Sequence, residues 1–182
     1  MNKAIGMVEL TTVSAGISAA DIMIKTAEVE VLQCTTVCPG KYIVIIAGEL
    51  SAVKASVDAA KALKSDKVVD SFLLGNPHEA IFPAIYGGTA PEHTEALGVL
   101  ETYSAASAVV AADTAAKTSL VDLIELRLCK GMCGKSYLLI TVTVSAVKAA
   151  IDKAEAEVKD KGFLLDSSII PRPDAQLWAS IL

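Results

Sequence analysis

Four cysteines are the residues of this chain best suited to chemistry. Cys34 and Cys38 stand in "CTTVCPGKY", and Cys129 and Cys133 repeat their C-x3-C spacing. Thiolates bind zinc or iron–sulfur clusters, and paired thiols can cycle through a disulfide. A cysteine can equally serve as a small hydrophobe. A four-cysteine zinc site is possible by count, although C-x3-C is less typical of zinc than C-x2-C. Cys34 falls on an alternating apolar stretch, "VEVLQC", and reads as a packing residue. Cys38 precedes Pro39-Gly40, a turn dipeptide, so its thiol sits where a loop can present it. It is the first candidate for a metal-binding role, and Cys133 is the second. A Cys-Pro step also ends the bacterial ferredoxin run, though one dipeptide is slender support.

Little else competes for a chemical role. His78 and His93 are the two histidines, and with no third histidine and no carboxylate cluster both read as surface residues. No Ser-His-Asp order, HExxH or GxGxxG occurs, and "GGTAPEH" is too short for a phosphate cradle. Glu9 and Glu101 occupy matching places in two similar strands, which points to architecture rather than acid–base work. The chain is therefore not expected to be an enzyme.

Composition narrows the class further. The 182 residues are 53% hydrophobic with only 4% aromatics, and mean hydropathy is +0.51. The longest clean apolar run, "YIVIIA", is strand-sized and far below the roughly 18 residues of a membrane span. Small Ala and Val side chains allow close packing, and so apolar a chain is expected to bury surface in an obligate oligomer. A net charge of -5 without a basic run argues against nucleic acid. "MNKAIGMVEL" has no signal-peptide core, so a cytoplasmic location is expected, where cysteines are usually free, metal-bound or catalytic.

The elements that must position the cysteines come twice. Ala4, Gly6, Glu9, Ala20, Asp21, Lys25 and Thr26 return 92 residues later as Ala96, Gly98, Glu101, Ala112, Asp113, Lys117 and Thr118. Gly40-Lys41 returns as Gly134-Lys135, and "SAVK" at 51–54 returns at 145–148, a spacing of 94. Asp70-Ser71 returns as Asp166-Ser167 and Pro77 as Pro173, a spacing of 96. Each step adds two residues to the second copy, as short loop insertions would. Such a period describes a duplicated domain rather than a solenoid. The expected layout is residues 1–88, a linker at 89–95 within "YGGTAPEH", and residues 96–182.

Within the first copy, "AIGMVELTT" alternates as a strand, and "SAGISAADIMIKTAE" reads as a helix with Ser14 or Ser18 as its cap. Ile17, Ala20, Ile24 and Ala27 recur at helical spacing. "VEVLQCTTV" and "KYIVIIAGE" read as strands joined through Pro39-Gly40. "LSAVKASVDAAKALKS" reads as an amphipathic helix, "VVDSFLLG" as a fourth strand and "NPHEAIFPAI" as a short terminal helix. Each copy is thus expected to be α/β (α+β), with a four-stranded, mostly antiparallel sheet and helices packed on it.

This ordered set resembles the bacterial microcompartment shell domain. It is carried by "AIGMVELTTVSAGISAADIMIKTA", "VCPGKYIVIIAGE" and "SAVKASVDAA" in the first copy. In the second it is carried by "ALGVLE", "AADTAAKTS", "SAVKAAIDKA" and "IIPRPD". The tandem arrangement, with a cysteine in the first loop, is most similar to tandem shell proteins of the propanediol-utilisation type. The resemblance implies a homotrimer that imitates a hexamer, tiling with other shell proteins, with an enclosed redox enzyme as a candidate partner. It implies that the loops Cys38-Pro39-Gly40 and Met132-Cys133-Gly134 line a central pore, where related chains usually carry Gly-Ser-Gly. It further implies a [4Fe-4S] cluster held by three Cys38 thiolates on the axis, the fourth iron taking a non-protein ligand. Electron transfer or cluster delivery across the shell would follow. Lys25, Lys117 and Arg172 match the family's tile-edge residues, but Asn76 replaces the arginine in the first copy. The rival from the residues alone is a soluble duplicated sensor or redox protein that uses its cysteines as a thiol pair or zinc site.

Overall fold

The computed structural model describes residues 4–87, 91 and 94–181. His93 and most of the expected linker lie outside them. The elements run β1 Ala4–Leu10, α1 Val13–Thr26, β2 Glu30–Val37, β3 Lys41–Gly48, α2 Leu50–Leu63, β4 Val68–Leu74 and α3 Ile81–Gly87. The series then repeats as β5 Ala96–Thr102, α4 Ala105–Thr118, β6 Asp122–Arg127, β7 Ser136–Val142, α5 Val144–Lys159, β8 Leu164–Pro171 and α6 Ala175–Ile181. The two sheets have the same topology, β2-β3-β1-β4 and β6-β7-β5-β8, and the strand pairings are antiparallel. The expected α+β domain, present twice, is what the chain forms.

Two compact units emerge. One gathers Met1–Pro77 with the short segments Ser104–Ser107 and Cys129–Lys135, and the other holds the rest. In the first unit, β1 is buried along its whole length, with β3 and β4 pairing its two edges and α2 packed on one face. Its core joins Val8, Leu10, Val44 and Ile46 of the sheet to Ala15, Ala19 and Met23 of α1 and Val53, Val57 and Ala60 of α2. Gly6 is where α2 crosses β1. A Cβ there would lie 2.7 Å from methyl carbons of both Val53 and Val57. In the second unit, Gly98 takes the same place beneath α5, with Val147 and Ile140 at 2.7 and 2.8 Å. There a second cluster joins Leu97, Ile124 and Leu139 of the sheet to Trp178 of α6.

Two sequence expectations change. The cap of α1 is Thr12, whose hydroxyl accepts from Ala15 N at 3.3 Å, rather than Ser14 or Ser18. Ser14 already has helical geometry, and Thr12 is the last extended residue with a side-chain acceptor. The Ile17–Ile24 stripe is also real but does not face the sheet. Ala15, Ala19 and Met23 do that, and Ile17 and Ile24 remain 58% and 51% exposed.

Candidate cysteine loop and the ion pair behind it

The β2–β3 turn is short because one residue in it can turn the chain back sharply. Gly40 has φ +109°, a conformation that costs glycine little and other residues more, and its N–H donates to Val37 O at 2.9 Å. Cys38 opens this turn half-buried, Pro39 and Gly40 are exposed, and the Cys38–Pro39 peptide is cis. The Cys38 thiol makes no hydrogen bond among the described residues.

Sheet register settles how the cysteines of the two copies correspond. Cys34 stands opposite Val44 as Leu126 stands opposite Leu138, and Thr35 opposite Ile43 as Arg127 opposite Tyr137. Counting on, Cys129 takes the place of Val37, and both are buried. The extra two residues of the second copy therefore fall inside the loop, which runs 130–134 against 38–40. Cys129 is not the counterpart of Cys34, despite the shared C-x3-C spacing. Nor is Cys34 a packing residue within the chain. It lies on the edge strand β2 and is exposed.

The longer loop closes on the shorter one. Cys38 N donates to Cys129 O at 3.1 Å. A Cβ on Gly134 (φ +90°) would come within 3.0 Å of Pro39 Cδ and 3.3 Å of Cys38 O. Gly134 is buried in this contact, Met132 is half-buried and Cys133 exposed. An open pocket beside them is lined by Thr36, Cys38, Pro39 and Gly40 on one side and Lys130 and Gly131 on the other.

Behind the loops lies a charge cluster that the sequence reading missed. Lys41 Nζ forms an ion pair with Oε1 of the fully buried Glu9. It also donates to Gly134 O at 3.1 Å and lies 3.5 Å from the buried Cys129 Sγ. The Cys129 thiol in turn donates to Gly134 O at 3.1 Å. The second oxygen of Glu9 accepts from Ala105 N at 2.8 Å and Ala106 N at 3.4 Å, the first turn of α4, where a carboxylate is favoured. Burial alone would lower the Lys41 pKa. The hydrogen bond and charge of Glu9 outweigh it and hold the ammonium above its ordinary value. Next to Glu9, Asp70 accepts from the hydroxyls of Ser104 and Ser107. The signal for this cluster was the one charge in the apolar strand "AIGMVEL", read as a duplicated strand residue.

The other candidates lie apart. Lys25 pairs with Asp21 at 2.8 Å on the exposed face of α1, and Lys117 pairs with Asp113 at 2.6 Å. Arg172 is exposed at φ +49°, its N–H donating to Glu95 O at 2.8 Å. His78 is not a plain surface residue. It is half-buried, and its backbone N–H donates to the Asp113 carboxylate at 2.7 Å. Among the described residues, no three His, Cys, Asp or Glu side chains gather to hold a metal ion. Nor is any helix among them long and apolar enough to cross a membrane.

The profile of the BMC domain matches the chain twice, over residues 4–77 and 96–173. The chain belongs to the BMC-domain family. It is 37% identical over all 182 residues to the bacterial microcompartment shell protein PduT of Citrobacter freundii, covering 99% of that protein. It is 35% identical over 80 residues to the carboxysome shell protein CcmK2 of Thermosynechococcus vestitus, 42% of this chain and 78% of that one. The crystal structure of a microcompartment protein from Desulfitobacterium hafniense superposes with a TM-score of 0.86 at 42% identity, covering 98% of this chain and 99% of the other. As a BMC-domain protein with two copies in one chain, it places the loops of both copies side by side in a single compact unit.

Proposed function

We propose that this BMC-domain chain is a non-catalytic shell tile of a bacterial microcompartment in the cytoplasm. Three chains form a pseudohexamer whose central pore carries a [4Fe-4S] cluster on three Cys38 thiolates. The observation that carries this reading is the loop junction. Cys38–Gly40 and Gly134 touch within one chain, as neighbouring loops of a ring with alternating copies must. A ring of three chains then multiplies one half-buried loop cysteine into three.

The residues present suit such a group. Cys38 is half-buried with an uncommitted thiol, borders an open pocket, and is held by its backbone to Cys129 rather than by its side chain. One chain offers no three-ligand set among its described residues, so the ligands have to come from several chains. Bound there, an iron–sulfur cluster supplies one-electron redox capacity. The chain's own part is to fix the Cys38 backbone against the Cys129–Gly134 loop. Lys41 stays charged behind that loop, where it favours the negative charge of thiolates. Pro39, Gly40, Met132 and Gly134 line the rim. Electron passage, or handing of clusters to an enclosed redox enzyme, is the role that follows. Lys25, Lys117 and Arg172 serve the edges that meet other shell proteins.

Anaerobic reconstitution with iron and sulfide tests the assignment. The parent chain is expected to turn brown and give a cluster signal in electron paramagnetic resonance after reduction. Cys38→Ser is expected to lose both, and Cys133→Ser to keep both. Colour retained in Cys38→Ser removes Cys38 from the site.

A further inference from the structure

Cys129 is the buried one of the four cysteines, and it plays no part in holding a cluster. Its sulfur meets polar atoms: Gly134 O at 3.1 Å, Lys41 Nζ at 3.5 Å and Glu9 Oε1 at 3.9 Å. The first copy fills the corresponding position with Val37, which is also buried. The left-handed backbone of Cys129, φ +55°, accounts for the absence of valine there, because a β-branched residue is strained in that region. It does not call for sulfur. Packing alone leaves the thiol beside an amine unexplained.

The amine is held in place. Lys41 Nζ is paired with Glu9 Oε1 and donates to Gly134 O at 3.1 Å, so it cannot swing away from the sulfur without giving up both. A carboxylate that can take a proton from the ammonium therefore lies against the nitrogen. The Glu9 side chain is fully buried, whereas the Lys41 side chain keeps 12% of its surface open. That opening admits a molecule as small and uncharged as dioxygen and keeps bulky thiols out. Oxidised cysteine sulfur condenses with a neighbouring nucleophile, a nitrogen among them.

We propose that Lys41 and Cys129 are an oxidative modification site, where dioxygen links them covalently as Sγ–O–Nζ. The O=O bond breaks. One oxygen is inserted between sulfur and nitrogen, and the other leaves as water. The thiol gives up its proton and the ammonium gives up two. Two of these three protons leave in the water, and Glu9 keeps the third. Sulfur and nitrogen each lose two electrons, which together reduce the dioxygen fully. The separation of 3.5 Å is too wide for a direct S–N bond and suits one bridging atom. Because Glu9 ends protonated, the loss of the lysine charge leaves no bare carboxylate in the interior. The bridge ties the start of β3 to the loop that carries Gly134, and it fixes the backbone against which Cys38 rests.

The site lies within one chain, so neither a trimer nor a cluster is needed to test it. The full chain is purified without oxygen and divided, and one half is exposed to dioxygen. Both halves are then unfolded in iodoacetamide, digested with trypsin and weighed by mass spectrometry. In the exposed half, the peptides carrying Lys41 and Cys129 are expected to be joined, with one oxygen gained and two hydrogens lost, and a thiol reductant should separate them. The unexposed half should show Cys129 alkylated and unlinked. Lys41→Arg keeps a cation for Glu9 and offers no amine, so it should fold as the parent does by circular dichroism and lose the link. Cys129→Ala should lose it too. Cys129 left unchanged by dioxygen overturns the proposal. So does a disulfide to Cys38 or Cys133, an oxygen gained without a link, or a link without the oxygen. Should Lys41→Arg fail to fold, the oxygen-dependent mass of the parent chain decides alone.

Discussion

Glu9 is the residue on which the loop junction turns. It is a fully buried charge in a strand otherwise made of apolar residues, and it is tolerated because every direction is answered: Lys41 on one oxygen, the first N–H groups of α4 on the other. Taking away one member of such a pair strands the other in low dielectric, at a cost of about 3–5 kcal/mol. Glu9→Ala and Lys41→Met are each expected to lose stability of that order in urea unfolding. The double variant should lose less than the two singles together, because neither charge is then left alone. The sign of the pH dependence follows from the raised Lys41 pKa. The pair's contribution is complete below the ordinary lysine value and disappears as pH climbs through the higher folded value. The loss on Lys41→Met should therefore be level across neutral pH and shrink only in strong alkali. A Lys41→Met chain as stable as the parent at pH 7 would refute the pair's structural role.

The elements themselves were largely legible before the structure, because strand alternation and helix periodicity are local signals. Seven segments per copy, their order and the Pro39-Gly40 turn could be read from the residues. The facing of α1 and the pairing of the cysteines could not. The stripe at Ile17 and Ile24 is as apolar as the one at Ala15, Ala19 and Met23, and only packing decides which faces the sheet. The C-x3-C coincidence misled because spacing ignores register. The strand pairing puts Cys129 with Val37 and slips two residues into the loop beyond it. Glycine at positions 6 and 98 was visible as a repeat, but its reason is the close crossing of α2 and α5 over the central strands. Gly6→Ala should force the methyls of Val53 and Val57 apart and cost about 1–3 kcal/mol. Gly98→Ala should cost a similar amount, and the double variant the sum, since each crossing lies in a separate unit. Thermal unfolding checks this. A neutral Gly6→Ala would mean that the helix can lift without penalty.

At the scale of the whole molecule, the two copies keep the same central-strand glycines, the same carboxylate pairs and the same lysine at the end of the loop. They part at the edge that follows the fourth strand. Arg172 stands exposed just past β8, whereas the corresponding place in the first copy is Asn76. In a sheet of such tiles only alternate edges would then offer a guanidinium, a planar donor that meets backbone carbonyls and carboxylates across a boundary better than an amide does. Arg172→Ala should leave the fold alone, because an exposed side chain away from core and caps changes stability by no more than about 0.5 kcal/mol. It should nonetheless abolish extended sheets in electron micrographs of concentrated protein, with sedimentation still reporting the same discrete oligomer. Asn76→Arg should act in the opposite sense, lowering the protein concentration at which sheets appear by making all edges alike. The reason is physical: a lattice grows through many weak identical contacts, so one contact per edge is multiplied along every row. Sheets that form equally well from Arg172→Ala and from the parent chain would show that the edge is held by other residues, with Lys25 and Lys117 the next to replace.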